Sequence, residues 1–163
     1  MVVITEEYKK WREVIFNVKP EQVGVSSQEV DRVYGVLMDI GQADTGGRGN
    51  FALSLTALAS GEASFRPTPG GGAIGLGGDA KVAEVAKSLV QIGQATISAT
   101  KATTDFASLP KPGWVRFTYL TTSGVRSVEG QLNVMLSPHN PFSKLMNGFG
   151  FIRNFAEKLG TRR

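Results

Sequence analysis

The chain has 163 residues, the length of one ordinary domain, with 41% apolar and 20% charged residues, no cysteine and a single histidine, His139. The missing thiols exclude disulfide scaffolds, zinc–thiolate and iron–sulfur sites and cysteine nucleophiles, and one histidine excludes a multi-histidine metal site. No apolar run approaches the ~20 residues of a membrane span. The acidic start, Met1 to Glu7, does not read as a signal peptide, so a cytoplasmic protein with no cofactor and no metal is expected.

The net charge of +4 is unevenly placed. Residues 1–139 carry 13 basic and 13 acidic side chains, which cancel. Residues 140–163 carry Lys144, Arg153, Lys158, Arg162 and Arg163 against Glu157 alone. Such a segment suits an acidic partner. It equally suits the negative end of a terminal helix, which basic side chains complement.

Residues 5–18 predict a helix, with Thr5 as N-cap and Tyr8, Trp11, Ile15 and Val18 on one stripe. Pro20 ends it, and 20–32 read as a connector. Residues 33–40 predict a strand, followed by a turn-rich loop over 41–50. Residues 51–59 and 62–67 predict a hairpin around Ser60-Gly61, with Pro67 and Pro69 marking an edge. A glycine-rich run fills 70–78. Asp79 then caps a helix over 80–104, where Val82, Val85, Leu89, Ile92 and Thr96 form a stripe. Beside it lie Ala83, Ala86, Val90 and Ile97, so the apolar arc covers half the helix and exceeds what one sheet covers. A homodimer burying Ala86, Val90 and Ile97 is one expectation, and cover by another helix of the same chain is the other. Residues 114–121 and 125–136 predict a second hairpin around Ser123-Gly124. In the second of these strands Val128, Leu132, Val134 and Leu136 share a face, and polar residues share the other, which implies one wet sheet face. Asn140 and Pro141 start a last helix, with Phe142, Leu145, Met146, Phe149, Ile152, Ala156 and Leu159 as its stripe and Gly160 as its cap.

The order α-β-β-β-α-β-β-α predicts a single α+β domain over 1–163. Its mostly antiparallel five-stranded sheet would carry helices packed on one face. This order resembles that of type III secretion chaperones and related small dimers, a likeness of fold only. Those chaperones are usually acidic, whereas this chain is basic. The stretches Gly35-Val36-Leu37-Met38-Asp39, Leu58-Ala59-Ser60-Gly61 and Gly70-Gly71-Gly72 are similar to a family of small uncharacterised bacterial proteins. That resemblance spans about a third of the chain and implies no activity.

Several motifs bear on chemistry. Backbone amides of a glycine loop before a helix can hold an anion, which makes Gly75, Gly77 and Gly78 a candidate ligand-binding loop. Gly75-Leu76-Gly77-Gly78-Asp79-Ala80 spells G-x-G-x-x-A, but a hairpin strand precedes it, Asp79 repels an anion, and no Gly-Lys-Ser/Thr follows. A connector is the plainer reading. Asp44-Thr45-Gly46 spells the aspartic-protease triplet without the second copy that chemistry needs. His139 lacks a nucleophile elbow to serve. Trp114, Arg116, Tyr119 and Arg126 mix aromatic and basic residues, but Tyr119 falls on the opposite strand face from Trp114 and Arg116, which argues against nucleic acid. On the last helix Phe151 falls away from the apolar stripe, close to Lys144 and Lys158, and this trio is the candidate contact for an acidic protein partner. A non-enzymatic interaction domain, of chaperone or accessory type, is therefore the leading expectation. A ligand binder using the glycine loop and an enzyme of unidentified type are the alternatives.

Overall fold

A computed structural model describes residues 4–43 and 49–161. Thr5 caps the first helix, α1 (Glu6–Phe16), accepting a hydrogen bond from the Tyr8 amide at 3.2 Å. A short 3₁₀ turn follows at Pro20–Val23. Then come β1 (Val33–Gln42), β2 (Phe51–Leu58), β3 (Ala63–Pro67), α2 (Ala80–Thr96), β4 (Lys101–Ala102), β5 (Trp114–Thr121), β6 (Gly124–Gln131), a helical turn α3 (Leu132–Met135) and α4 (Ser143–Thr161). The strands form one antiparallel sheet in the order β3-β2-β1-β5-β6-β4. β1 lies between β2 and β5 and is buried along nearly its whole length.

The alternation of β1 divides the molecule. Val36, Met38 and Ile40 point to the main core, which Leu55, Ala57 and Phe117 of the neighbouring strands share with α2 and α4. Leu37 points the other way, into a smaller cluster with Ile15, Val23, Tyr34, Leu58 and Leu120. Asp79 caps α2 as expected, accepting from the amides of Lys81 and Val82 at 2.9 and 3.0 Å. α2 and α4 pack against each other and, side by side, against the sheet. A Cβ on Gly93 would lie 2.9 Å from Val36 of β1, and one on Gly148 of α4 would lie 2.4 Å from Leu89 of α2. A side chain at either position would force its neighbour to shift.

The expectation of an α+β chain with an antiparallel sheet is borne out, but three details are corrected. First, the sheet has six strands, not five. The sixth, β4, lies where the sequence predicts the end of a helix over 80–104. Thr96 turns its hydroxyl back onto the Ile92 carbonyl at 2.9 Å, a bond that competes with continuing the helix. Arg126 of β6 then donates to the Thr100 hydroxyl and carbonyl and draws the chain onto the sheet edge. Second, the last strand stops at Gln131 rather than 136. Leu132–Met135 coil so that Met135 folds over Gly130 and is buried, which leaves Val134 and Leu136 exposed. Third, the helices do not share one face. α2 and α4 cover one side and α1 covers the other, so the second face is dry where Asp39, Ser54, Thr56, Ser64 and Thr118 are buried and stays wet on β6, where Glu129 and Gln131 are exposed.

Candidate functional site

The polar face of the sheet and α1 together build the most elaborate arrangement among the described residues. Helical spacing puts Tyr8, Arg12 and Ile15 on the same side of α1, and all three are buried. Beneath them, β1 presents Asp39, which is fully enclosed and lies in register with Ser54 of β2. Arg12 grips the Asp39 carboxylate with two nitrogens, Nη1 to Oδ1 at 2.9 Å and Nη2 to Oδ2 at 3.0 Å. Nη1 also donates to the Tyr8 hydroxyl at 3.1 Å, and Nε donates to the Phe106 carbonyl at 2.8 Å. Ser54 donates to Asp39 Oδ1 at 2.5 Å.

Proton counting orients the remaining bond. Asp39 can only accept, so the single Ser54 proton is committed to it. The 2.6 Å contact between Tyr8 and Ser54 must then run from the tyrosine hydroxyl to the serine oxygen. The result is a closed ring, Arg12 to Tyr8 to Ser54 to Asp39 and back to Arg12. No buried side-chain polar atom among the described residues lacks a partner.

Burial by itself would lower the proton affinity of Arg12. The Asp39 carboxylate beside it, together with the bonds to Asp39 and Tyr8, overcomes that and holds it above its ordinary value. Burial and then the Asp39 charge raise the Tyr8 phenol. At neutral pH the ring is therefore an ion pair with a neutral tyrosine. Chemically it is a clamp. The Ser54 proton is held by Asp39, its oxygen accepts from Tyr8, and the residue is fully enclosed, so it presents no nucleophile to a substrate.

The clamp shapes a groove at the surface. The Arg12 bond to the Phe106 carbonyl holds the segment 103–113 against α1. Farther along, the backbone of Pro110 and Lys111 passes so close to Gly41 that a Cβ there would sit 2.2 Å from the Lys111 carbonyl oxygen. Arg116 donates to the carbonyl and hydroxyl of Ser108 and pairs with Glu129 at 2.9 Å. Between α1 and this segment opens a cavity of about 390 Å³ lined by Ile4, Tyr8, Lys9, Arg12, Glu13, Phe16, Asn17, Phe106 and Ala107. The Phe16 and Phe106 rings stack at 4.8 Å and 14°, and the Arg12 guanidinium lies 5.1 Å from the Phe16 centroid.

The residues singled out from the sequence fall elsewhere. In the glycine run, Glu62 Oε1 accepts from the Gly77 amide at 3.1 Å, and the Gly78 amide donates to the Gly75 carbonyl at 3.2 Å. The chain's own carboxylate occupies the place expected for an anion. Leu76 is buried and Ala73 bridges to Phe65, so the run folds as a connector along the outer side of β3. On α2, Ala86 and Val90 are enclosed within the chain and Ile97 is partly buried against the same core, packed on the sheet and α4. Tyr119 points into that core and meets Thr96, away from Arg116. His139 is exposed in the turn before α4. Asp44-Thr45-Gly46 lies outside the described residues. Asp39 faces Arg12.

Phe142, just before α4, and Leu145, Phe149 and Ile152 on it are buried as the stripe predicts, and Phe151 remains 38% exposed with Lys144 and Lys158 on the surface. Positions 144, 151 and 158 are seven apart, so they form a nearly straight line with about 10.5 Å between successive residues.

Sequence reasoning missed Arg12, Ser54, Phe16 and Phe106. One signal was present: Arg12 sits on the apolar stripe between Tyr8 and Ile15, and Asp39 interrupts the apolar run Val36-Leu37-Met38-Asp39-Ile40. An opposite charge inside each of two apolar patterns points to a buried pair.

Compared with known proteins, the chain matches no family model, no curated protein and no solved structure. Among the described residues no helix is long and apolar enough to cross a membrane, and no group of three or more acidic or histidine side chains is arranged to hold a metal.

Proposed function

We propose that this chain is a non-enzymatic interaction domain whose contact surface is the outer line of α4, and that its partner is an acidic segment of another protein. One observation supports this above the others. Ala86 and Val90 of α2 are enclosed, whereas Lys144, Phe151 and Lys158 stay on the surface in one line. An aromatic side chain flanked by cations two turns away on either side suits a partner that offers an apolar residue between carboxylates. The neighbouring outward positions, Asn147 and Asn154, carry no charge, and Arg153 is paired with Glu157 at 2.9 Å, so that acidic residue is already engaged. The charge balance favours the same helix, since residues 1–139 are neutral in sum. An accessory or chaperone role fits such a surface and rests on element order alone.

The test uses the full isotope-labelled chain and a synthetic amphipathic peptide bearing glutamates around a central leucine. Expected are amide shifts at Asn147, Phe151 and Asn154. Phe151→Ala should weaken binding by about tenfold, the loss of roughly 1.4 kcal/mol from an interface anchor. The shifts should also fade with added salt, which screens exposed charges over ~10 Å. No shift at millimolar peptide rejects the reading. Equal binding by a lysine-substituted peptide, or binding to anionic lipid vesicles in place of the peptide, rejects it as well.

A further inference from the structure

We propose that the groove between α1 and the segment 103–113 is a binding site for a small, neutral, flat aromatic molecule. The site is distinct from the α4 surface and stands or falls separately from it.

The size is appropriate, since about 390 Å³ falls within the range of small-molecule sites. Construction is the stronger argument. Phe106 is 40% exposed, yet its position is set by a buried group: its carbonyl accepts from Arg12 Nε at 2.8 Å, and Arg12 is itself fixed by Asp39 and Tyr8. Its ring lies nearly parallel to that of Phe16. An exposed Phe106 ring backed by the half-buried Phe16 and held by a buried ion pair gives a preformed wall, and a flat ligand stacks on it with little ordering cost.

Charge then selects the ligand class. Among the described residues of the lining, Arg12 is the buried charged group, and its charge is already met by the bidentate Asp39 carboxylate. Its Nε, Nη1 and Nη2 all donate to protein acceptors. An anionic ligand would therefore have to compete with Asp39 for the guanidinium. The rim adds one charge of each sign, Lys9 and Glu13, both exposed to water, which screens them. Neither an acid nor a base is favoured, so the occupant is a neutral ring. An edge donor on that ring would find acceptors at the rim in Glu13 and Asn17.

The experiment titrates the full chain with indole, indole-3-acetate and tryptamine. Two signals are followed, the Arg12 Nε–H resonance, which the bond to the Phe106 carbonyl protects from exchange, and the Phe106 amide. Indole should shift both, and indole-3-acetate should bind about tenfold more weakly or worse, with tryptamine no tighter than indole. Phe106→Ala should abolish the indole shifts while amide signals of α2 and α4 stay in place, which separates a lost site from a lost fold. The proposal is overturned if indole at solubility moves neither signal, if Phe106→Ala binds indole as before, or if the anion or the cation binds more tightly than indole.

Discussion

The two faces of the sheet are held by different physics. On the side of α2 and α4 the contacts are apolar: Val36, Met38, Leu55, Phe117, Leu89, Leu145, Phe149 and Ile152 are nearly or fully enclosed, and the stacked rings of Phe117, Phe142 and Phe149 lie among them. On the side of α1 a smaller apolar cluster borders a polar seam of Arg12, Asp39, Ser54 and Tyr8, in which each side chain is hydrogen-bonded to two of the others. Apolar packing tolerates an error by losing area. A buried ion pair tolerates it poorly, because a lone charge is left without water or partner. The small face, though it buries less, is therefore expected to be the more sensitive of the two to a single substitution.

The sharpest break in this comparison is Arg12→Ala or Asp39→Ala, each expected to cost about 3–5 kcal/mol by stranding the remaining charge. Urea unfolding of the single variants and of the pair Arg12→Met with Asp39→Leu measures it. The paired change should cost far less than the sum of the singles. If the costs simply add, the two side chains do not act as a buried pair. On the opposite face, Leu145→Ala should cost roughly 2–5 kcal/mol, since the residue is fully enclosed and leaves a cavity.

The two buried tyrosines sharpen the contrast. Tyr8→Phe leaves the Ser54 oxygen without its donor and takes one acceptor from Arg12, a loss of about 1–3 kcal/mol. Tyr119→Phe removes a single bond to Thr96, whose hydroxyl keeps the Ile92 carbonyl, so the cost should be about 0.5–1.5 kcal/mol. Alkaline titration addresses the same pair. Burial pushes the Tyr119 phenol up to about 12, opposed in part by its bond to Thr96, and raises Tyr8 in the same direction. In the unfolded chain a phenol ionises near pH 10. Between about pH 10 and 12 the native state retains protons that the unfolded state releases, so stability is complete below that window and falls as pH rises through it. Denaturant midpoints across the window should decline less steeply in Tyr119→Phe. An unchanged slope would mean that Tyr119 contributes nothing to the alkaline loss.

The smallest stability effect is expected at the surface of α4. Phe151→Ala should change the stability of the isolated chain by no more than about 0.5 kcal/mol, as an exposed position does, while weakening association. If calorimetry finds it as costly as Leu145→Ala, Phe151 belongs to the core and α4 has no separate contact face.

Local chemistry was legible along the chain. Thr5 and Asp79 cap the helices that their positions imply, Ser60-Gly61 and Ser123-Gly124 turn the two hairpins, and the strand read over 114–121 has the bounds found for β5. The stripe of α4 was readable because its partners need only be apolar. Each of these features depends on residues a few positions apart or on a periodicity that any core satisfies. Tertiary structure decided the rest. Arg12 meets Asp39 across 27 residues and Phe106 across 94, and β4 pairs with β6 where Arg126 donates to Thr100, 26 residues away. Whether a charge is solvated or buried is set by the partner that folding brings to it, and no local pattern records that distance. The side of the sheet that α1 covers was hidden for the same reason: an amphipathic stripe states that a face is buried, not against which surface.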